Sequence, residues 1–165
     1  EIRPGGTCVL RGCVPKELVV YGASIGGDLE DAAGCGWSVN KAVHDWPALI
    51  AAKNRELDRL ESIYRNLLAS AGAELVAGRG KIVGPHQVSV NGREISGETI
   101  LVATGGTPNI PDIPGLRQYA ITSTQALDLD NLPDRIIVYG AGYIALEFAG
   151  IFNAVSYTHL RAHET

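Results

Sequence analysis

Cys8 and Cys13 stand in a CxxxxC pattern within the segment GGTCVLRGCVPK, which begins at Gly5. In a regular α-helix, residues five positions apart have Cα atoms about 8 to 9 Å apart, whereas a disulfide needs about 4.4 to 6.8 Å. A bridge between these cysteines therefore requires a bent segment. Gly12 supplies backbone freedom for that bend, and Pro15 fits the first turn of a following helix.

A helix that begins at Cys13 favours a thiolate there, because backbone N–H groups and the helix dipole stabilise negative charge at a helix N-terminus. Lys16 adds a positive charge one turn later. The pattern predicts a strained, reducible disulfide, and such pairs exchange electrons rather than staple a fold.

A structural zinc site and an incidental pair of buried cysteines are the alternative interpretations. Zinc would normally require a second pair of ligands at comparable spacing, but the remaining cysteine, Cys35, stands alone in AAGCGWS. An incidental pair does not explain the flanking glycine, proline and lysine. We therefore predict no metal site, and we interpret Cys35 as a structural or surface cysteine.

The composition is that of an ordinary globular protein, with 165 residues, 45% hydrophobic content and a formal net charge of −4. There is no basic stripe for nucleic acid, no apolar run approaches the roughly 18 residues of a membrane span, and EIRPGG lacks the regions of a signal peptide. Three cysteines argue against a secreted disulfide scaffold. We expect a cytoplasmic protein that binds neither nucleic acid nor membrane.

Two helical regions are predicted after the cysteines. KELVVYGASI reads as an apolar helix, and GGDLEDAAGCGWS as a loop with short helical pieces. Asp45 is a predicted N-cap for an amphipathic helix over about 46–71, with Pro47 in its first turn and Gly72 at C′. The predicted apolar face consists of Ile50, Leu57, Leu60, Tyr64, Leu67 and Ala71, and the predicted solvated face of Lys53, Arg55, Glu56, Asp58, Arg59, Glu61 and Arg65.

Short strands are predicted next, in AELVAG, GKIVG and HQVSV, and Asn91-Gly92 predicts a type I′ hairpin before REIS. The apolar run 99–103 predicts a buried strand that ends in Thr104-Gly105-Gly106. Glycines at this place either let backbone amides approach a ligand or merely turn the chain. The three prolines of TPNIPDIPG, residues 107–115, indicate a linker.

A second glycine motif follows a predicted strand at 136–139. GAGYIA, residues 140–145, matches GxGxxA at a strand-to-helix turn. Gly140 would make the tight turn, Gly142 would let a pyrophosphate come close at the helix N-terminus, and Ala145 would let the helix pack on the strand. The residue that reads the ribose 2′ position falls about 20 residues further on, so the motif leaves NAD and NADP open.

These segments together resemble the flavoprotein disulfide reductases, the class I pyridine nucleotide-disulfide oxidoreductases. GGTCVLRGCVPK, ILVATGG and IIVYGAGYIALEFAG occur in this order over roughly residues 5–153, and they are most similar to bacterial-type glutathione reductases. Lipoamide dehydrogenases and mercuric reductases are similar throughout, but they typically carry Pro-Ser-Lys after the second cysteine. In this chain Lys16 follows Pro15 directly. Two alternatives remain: a fragment of an enzyme like lipoamide dehydrogenase or mercuric reductase, and a non-catalytic remnant of a reductase.

The resemblance implies an α/β fold in two parts. Residues 1–106 correspond to an incomplete FAD-binding Rossmann-like domain with a β-meander, 107–120 to a Pro-rich linker, and 121–153 to the start of an NAD(P)H-binding Rossmann-like domain. Residues 154–165, AVSYTHLRAHET, lack periodicity and resemble adapter read-through. We expect this tail to be foreign and either disordered or an arbitrary helix, and the chain to be about one third of an enzyme.

The resemblance also implies residue roles. Cys13 resembles the flavin-proximal charge-transfer thiolate, Cys8 the interchange thiol that attacks glutathione disulfide, and Lys16 pairs with Glu147 beside the flavin. Tyr143 resembles a lid that moves when the nicotinamide docks. The positions that match FAD contacts are Gly6, Thr7, Cys8, Lys16, Gly80, Thr104 and Gly105. Those that match the NADPH site are Gly140, Ala141, Gly142, Tyr143, Ile144 and Glu147.

The implied reaction passes reducing equivalents from NADPH through FAD to the Cys8–Cys13 disulfide, and from the resulting dithiol to glutathione disulfide. In the family, the general acid is a histidine of the partner subunit in a homodimer. No histidine of this chain lies at a matching position, so His44, His86, His159 and His163 are interpreted as surface residues. We expect the isolated chain to be inactive.

Overall fold

The computed structural model of the protein describes residues 3–40, 42–155 and 161–163. In chain order, its elements are α1 (Gly6–Arg11), α2 (Cys13–Asp31), a 3₁₀ turn (Ala32–Cys35), α3 (Trp46–Ser70), β1 (Gly80–Gly84), β2 (Gln87–Val90), β3 (Arg93–Ser96), α4 (Leu116–Tyr119), α5 (Ser123–Ala126), β4 (Ile137–Tyr139), α6 (Tyr143–Val155) and β5 (Arg161–His163).

Helix α2 is longer than predicted, because it continues through the Gly26-Gly27 pair that was expected to open a loop. A Cβ at Gly22 would lie 2.7 Å from Leu49 Cδ1, and a Cβ at Gly26 would lie 3.1 Å from the Ala154 carbonyl oxygen. These glycines let α3 and α6 approach α2 closely. Tertiary packing here outweighs the low helix propensity of glycine.

The two ends of α3 are as predicted. The Asp45 side chain accepts a hydrogen bond from the Ala48 N–H at 3.0 Å, and Gly72 adopts a left-handed φ of +73° just after the helix. The Asp45 contact satisfies an N–H group that the helix start leaves unpaired, and the left-handed turn at Gly72 lets the Ala73 N–H reach the Leu68 carbonyl oxygen at 2.9 Å. The apolar face is buried only in its first half, since Ile50 and Leu57 are buried whereas Leu67 is 58% exposed.

The prediction that Lys53 lies on the solvated face of α3 is wrong. Lys53 is only 2% exposed. Lys53 follows Ile50 by three positions and precedes Leu57 by four, so the helical period places it on the buried face. Its ammonium group is retained there because it finds two oxygen acceptors at the end of α5.

The β-meander is confirmed. β1 and β3 each pair antiparallel with β2. Asn91 and Gly92 both have positive φ, of 52° and 81°, as a type I′ turn requires.

The strands predicted in AELVAG and over 99–103 are wrong, because neither segment has a hydrogen-bonded neighbour among the strands of the described residues. Leu101 is accordingly 87% exposed.

The β4–α6–β5 segment begins a parallel sheet. β4 pairs parallel with β5, with Ile137 opposite Arg161. Backbone pairing to β4 therefore makes 161–163 a strand, and the expectation of disorder or an arbitrary helix is wrong for these residues. Residues 156–160 and 164–165 of the predicted tail lie outside the described residues. The foreign origin of the tail stays a prediction.

One hydrophobic core joins α2, α3, α5 and α6. Its aromatic centre consists of Trp46, Phe148 and Phe152, with ring centroids 6.1 Å apart for Trp46 and Phe152 and 5.7 Å for the two phenylalanines. The buried cluster comprises Val19, Ala23, Trp46, Ile50, Ala126, Leu127, Phe148, Ile151 and Phe152. The core thus binds the cysteine-bearing helix to the helix that follows the second glycine motif. In the part of the chain that the structure describes, no helix is both long and apolar enough to cross a membrane.

Candidate redox active site

The cysteine segment is bent at Gly12, as predicted. α1 ends at Arg11 and α2 begins at Cys13, so Cys13 occupies a helix N-terminus. A Cβ at Gly12 would lie 2.9 Å from the Thr7 carbonyl oxygen and 3.4 Å from Cys8 Cα. The absence of a side chain at this position is therefore what lets α1 fold back on the start of α2. Pro15 is buried in the first turn of α2, where its missing N–H leaves no hydrogen bond unmade.

The two cysteines are exposed thiols that interact with each other. A side-chain hydrogen bond with Cys13 raises the pKa of Cys8, and desolvation and the electrostatic interaction with Cys13 act in the same direction. Cys8 is therefore a protonated thiol at neutral pH in the dithiol state, and it must lose its proton before it can attack a disulfide. The thiolate character of Cys13 stays a prediction.

An ion pair joins the cysteine helix to α6. Lys16 Nζ lies 2.6 Å from Glu147 Oε1, with the two side chains 19% and 34% exposed. The hydrogen bond from Lys16 to Glu147 raises the pKa of Lys16. The pair that the family resemblance implies is thus present, and it fixes a positive charge one turn after Cys13. Its part in catalysis stays a prediction.

Tyr143 completes this cluster. Its ring centroid lies 5.9 Å from Lys16 Nζ, within the range of a cation–π interaction. The side chain is the first of α6 and is 71% exposed. Tyr143 is therefore a largely exposed ring next to Lys16, and its role as a lid stays a prediction.

The second glycine motif has the geometry that its sequence predicts. Gly140 has a φ of +134°, which favours glycine, and a Cβ built there would lie 3.6 Å from the Ala145 Cβ. The small side chain of Ala145 thus lets α6 start close to β4. No atom of the described residues lies within 4 Å of a Cβ built at Gly142, so open space adjoins the first turn of α6, where Ala141 and Ile144 are also exposed.

The loop Thr104-Gly105 reaches the cysteine segment. Gly105 has a φ of +73°, and a Cβ there would lie 3.7 Å from Thr7 Oγ1. Gly6, at the start of α1, has a φ of +65°, and no atom in the described part of the chain lies within 4 Å of a Cβ built there. The Thr104-Gly105 loop therefore lies beside the start of α1, the helix that carries Cys8. Gly80 belongs to the meander instead, where it pairs with Val90.

These residues fit bound dinucleotides. Glu147 Oε2 is buried and has no hydrogen-bond partner among the described residues, which leaves an acceptor for a bound group. Gly142 directly precedes α6, and the first N–H groups of a helix have no acceptor within it. Gly6 and Gly105, which both lie near Thr7 and lack a side chain, leave room for close approach to the backbone there.

Other predicted surface residues are exposed. His44, His86 and Cys35 all have exposed side chains, and His86 Nδ1 lies 3.0 Å from the Glu98 carbonyl oxygen. The side chains of His159 and His163 lie outside the described residues.

Two residues that the sequence predictions missed are Trp46 and Lys53. Trp46 Nε1 donates a hydrogen bond to the Leu129 carbonyl oxygen, and Lys53 Nζ donates one to the Leu127 carbonyl oxygen. The signal for Lys53 was its spacing of three and four residues from Ile50 and Leu57.

Comparison with known proteins decides the family. The model of the family described as "Pyridine nucleotide-disulphide oxidoreductase" matches residues 2–161. The chain belongs to this family. The predicted family and its α/β fold class are therefore confirmed.

Several glutathione reductases belong among the relatives of this pyridine nucleotide-disulphide oxidoreductase chain. "Glutathione reductase, chloroplastic/mitochondrial" of Pisum sativum is 55% identical over 152 residues, which are 92% of this chain and 27% of the relative. "Glutathione reductase" of Burkholderia cepacia is 47% identical over 163 residues, 99% of this chain and 36% of the relative. "Glutathione reductase" of Nostoc sp. is 44% identical over 151 residues, which are 92% of this chain and 33% of the relative. The chain thus spans about a third of the length of these relatives.

Solved structures agree on the fold. The HOCl-induced flavoprotein disulfide reductase RclA from Escherichia coli superposes with a TM-score of 0.80 at 28% identity, over 96% of this chain and 33% of that one. The Cu(II) complex of the same protein gives a TM-score of 0.80 at 27% identity, over 98% of this chain and 34% of that one.

Proposed function

We propose that this chain carries the redox-active cysteines and part of the cofactor sites of an NADPH-dependent, FAD-containing glutathione reductase. One observation carries the proposal. The Lys16–Glu147 ion pair joins the helix that begins at Cys13 to the helix that begins at the dinucleotide motif. In the proposed enzyme, this pair would bring the electron donor and the disulfide of Cys8 and Cys13 to one place. Relatives that bear this enzyme name, at 44 to 55% identity, supply the substrate class.

The described residues divide between two cofactors. Gly6, Thr7, Cys8, Lys16, Thr104, Gly105 and, from the meander, Gly80 would hold FAD. Gly140, Ala141, Gly142, Tyr143, Ile144 and Glu147 would hold NADPH. When bound, these cofactors supply the hydride equivalent that reduces the disulfide. The chain's own part is to fix the ammonium group of Lys16 near Cys13 and to leave the pyrophosphate position at Gly142 open.

Thiol–disulfide exchange completes the reaction. The Cys8 thiol loses its proton to a base, and its sulfur attacks one sulfur of glutathione disulfide, which forms a mixed disulfide and releases one glutathione thiolate. Cys13 then attacks the Cys8 sulfur, which releases the second glutathione and forms the Cys8–Cys13 disulfide. A general acid protonates each departing thiolate. We assign that acid to the partner subunit of a homodimer, as the family resemblance implies.

The proposal includes a cytoplasmic location and the domain boundaries at 106, 120 and 153. It also includes the absence of activity in the isolated chain. A visible spectrum of the purified chain tests the last point. We expect no flavin absorbance, and absorbance of a stoichiometric bound flavin would contradict the expectation.

The identity of the substrate is tested with a full-length enzyme that contains residues 5–153. We expect NADPH oxidation that requires glutathione disulfide, that is lost in Cys8→Ser and Cys13→Ser, and that is retained in the matched control Cys35→Ser. Oxidation of NADH that depends on lipoamide, or of NADPH that depends on mercuric ion, would overturn the assignment in favour of the related reductases.

A further inference from the structure

A buried ammonium group connects α3 to the segment between the two glycine motifs. The Lys53 side chain is 1% exposed. Its Nζ donates to the Leu127 carbonyl oxygen at 2.6 Å and lies 2.8 Å from Asp128 Oδ1. A buried ammonium is costly unless it is paired and hydrogen-bonded, and both conditions hold here.

A second polar contact from α3 reaches the same segment two residues later. Trp46 Nε1 donates to the Leu129 carbonyl oxygen at 2.7 Å. Trp46 and Lys53 are seven positions apart, two helical turns, so both side chains leave α3 on one face. Three consecutive residues, 127–129, are therefore held by two donors of a single rigid helix.

The held segment leads directly into the dinucleotide motif. After Leu129 the chain passes through Leu132 and Ile136, which pack on the same core, and enters β4 and α6. Trp46 also packs on Phe152 of α6, with ring centroids 6.1 Å apart. The position of α6 relative to α2 is thus constrained at two places: by the segment that leads into α6, and by Phe152 near the C-terminal end of α6.

We propose that Lys53 and Trp46 are positioning residues that hold α6, and with it Glu147, in register with Lys16 on the cysteine helix; the relevance to turnover rests on the proposed function. Neither residue touches the cysteines or Glu147 in the described contacts. They act through the backbone of 127–129 and through Phe152. A buried ion pair contributes little net stability as a rule, and its best-attested use is to fix one geometry among several.

The test is a titration of the Lys16 ammonium group by NMR in the full 165-residue chain. Because the hydrogen bond with Glu147 raises the pKa of Lys16, a displaced α6 lowers that pKa toward its ordinary value. We expect Lys53→Met to lower it, and Lys53→Arg, which keeps a donor, to retain the wild-type value. Loss of a positive charge alone would act in the opposite direction. Arg55→Met removes an exposed charge from the same helix and is the matched control.

The outcomes separate a positioning role from a merely structural one. A folded Lys53→Met chain with the wild-type pKa of Lys16 overturns the proposal, and so does an equal fall in Arg55→Met. Should Lys53→Met not fold, Trp46→Phe keeps the ring on Phe152 and removes only the Nε1 donor. The proposal then requires a lowered pKa of Lys16 in Trp46→Phe. These readouts use no substrate, so they succeed or fail independently of the glutathione assignment.

Discussion

Replacement of Gly12 by alanine should destabilise the chain at the bend between the two cysteines. The added Cβ would lie 2.9 Å from the Thr7 carbonyl oxygen, whereas ordinary contacts begin near 3.4 Å. The backbone must therefore yield by about 0.5 Å. Overpacking of this kind costs about 1–3 kcal/mol, and the atoms that must move belong to the turn that carries Cys8. Each kcal/mol corresponds to about 2–4 °C in Tm for a chain of this size.

Gly27→Ala is the matched control for this substitution. Gly27 lies within the same α2, and a Cβ built there has no atom within 4 Å among the residues that the structure describes. We expect alanine at this position to stabilise the helix by about 0.5–1 kcal/mol. Thermal unfolding of the two reduced variants, measured side by side, checks both signs. Equal Tm values for Gly12→Ala and Gly27→Ala would refute the close approach that we assign to the bend.

Three further predictions concern the hydrophobic core, the Lys16–Glu147 ion pair and the Cys8–Cys13 pair. Phe152→Ala removes the ring between two other aromatic residues and should cost about 3–5 kcal/mol in denaturant unfolding. Glu147→Gln should lower the pKa of Lys16, measured by NMR titration, because the hydrogen bond that raises it is weakened. Cys13→Ala should lower the pKa of Cys8, measured as the pH midpoint of alkylation, because the thiol–thiol hydrogen bond is lost. Since the folded pKa of Cys8 is raised, its contribution to stability is complete below the unfolded value of about 8.5 and is lost as pH rises through the folded pKa. Cys13→Ala should reduce that loss, because it removes the largest of the causes that raise this pKa.

Local chemistry made part of the fold predictable. The cap at Asp45, the type I′ turn at Asn91-Gly92 and the tight turn at Gly140 each depend on interactions within a few residues, and the sequence displays them directly. The bend at Gly12 was predictable for the same reason. The pairing of Lys16 with Glu147, 131 positions apart, came only from family resemblance, because no local pattern specifies so distant a partner.

The wrong predictions concern contacts between distant segments. Glycine is a poor helix former, yet α2 continues through Gly26 because α6 packs closely against it. An apolar run is insufficient for a strand when no neighbour pairs with it, as Leu101 shows. Lysine usually marks a solvated face, but Lys53 finds its acceptors on a segment that begins 74 positions later.

The central claim is that Cys8 exchanges with a disulfide and that Cys13 resolves the product. It is tested most directly by mass spectrometry of the reduced chain after reaction with glutathione disulfide, in a Cys35→Ser background. We predict release of two glutathione molecules with formation of the Cys8–Cys13 disulfide, and a stable glutathione adduct on Cys8 when Cys13 is replaced by serine. An adduct that forms preferentially on Cys13, or no disulfide between the two cysteines, would contradict the account.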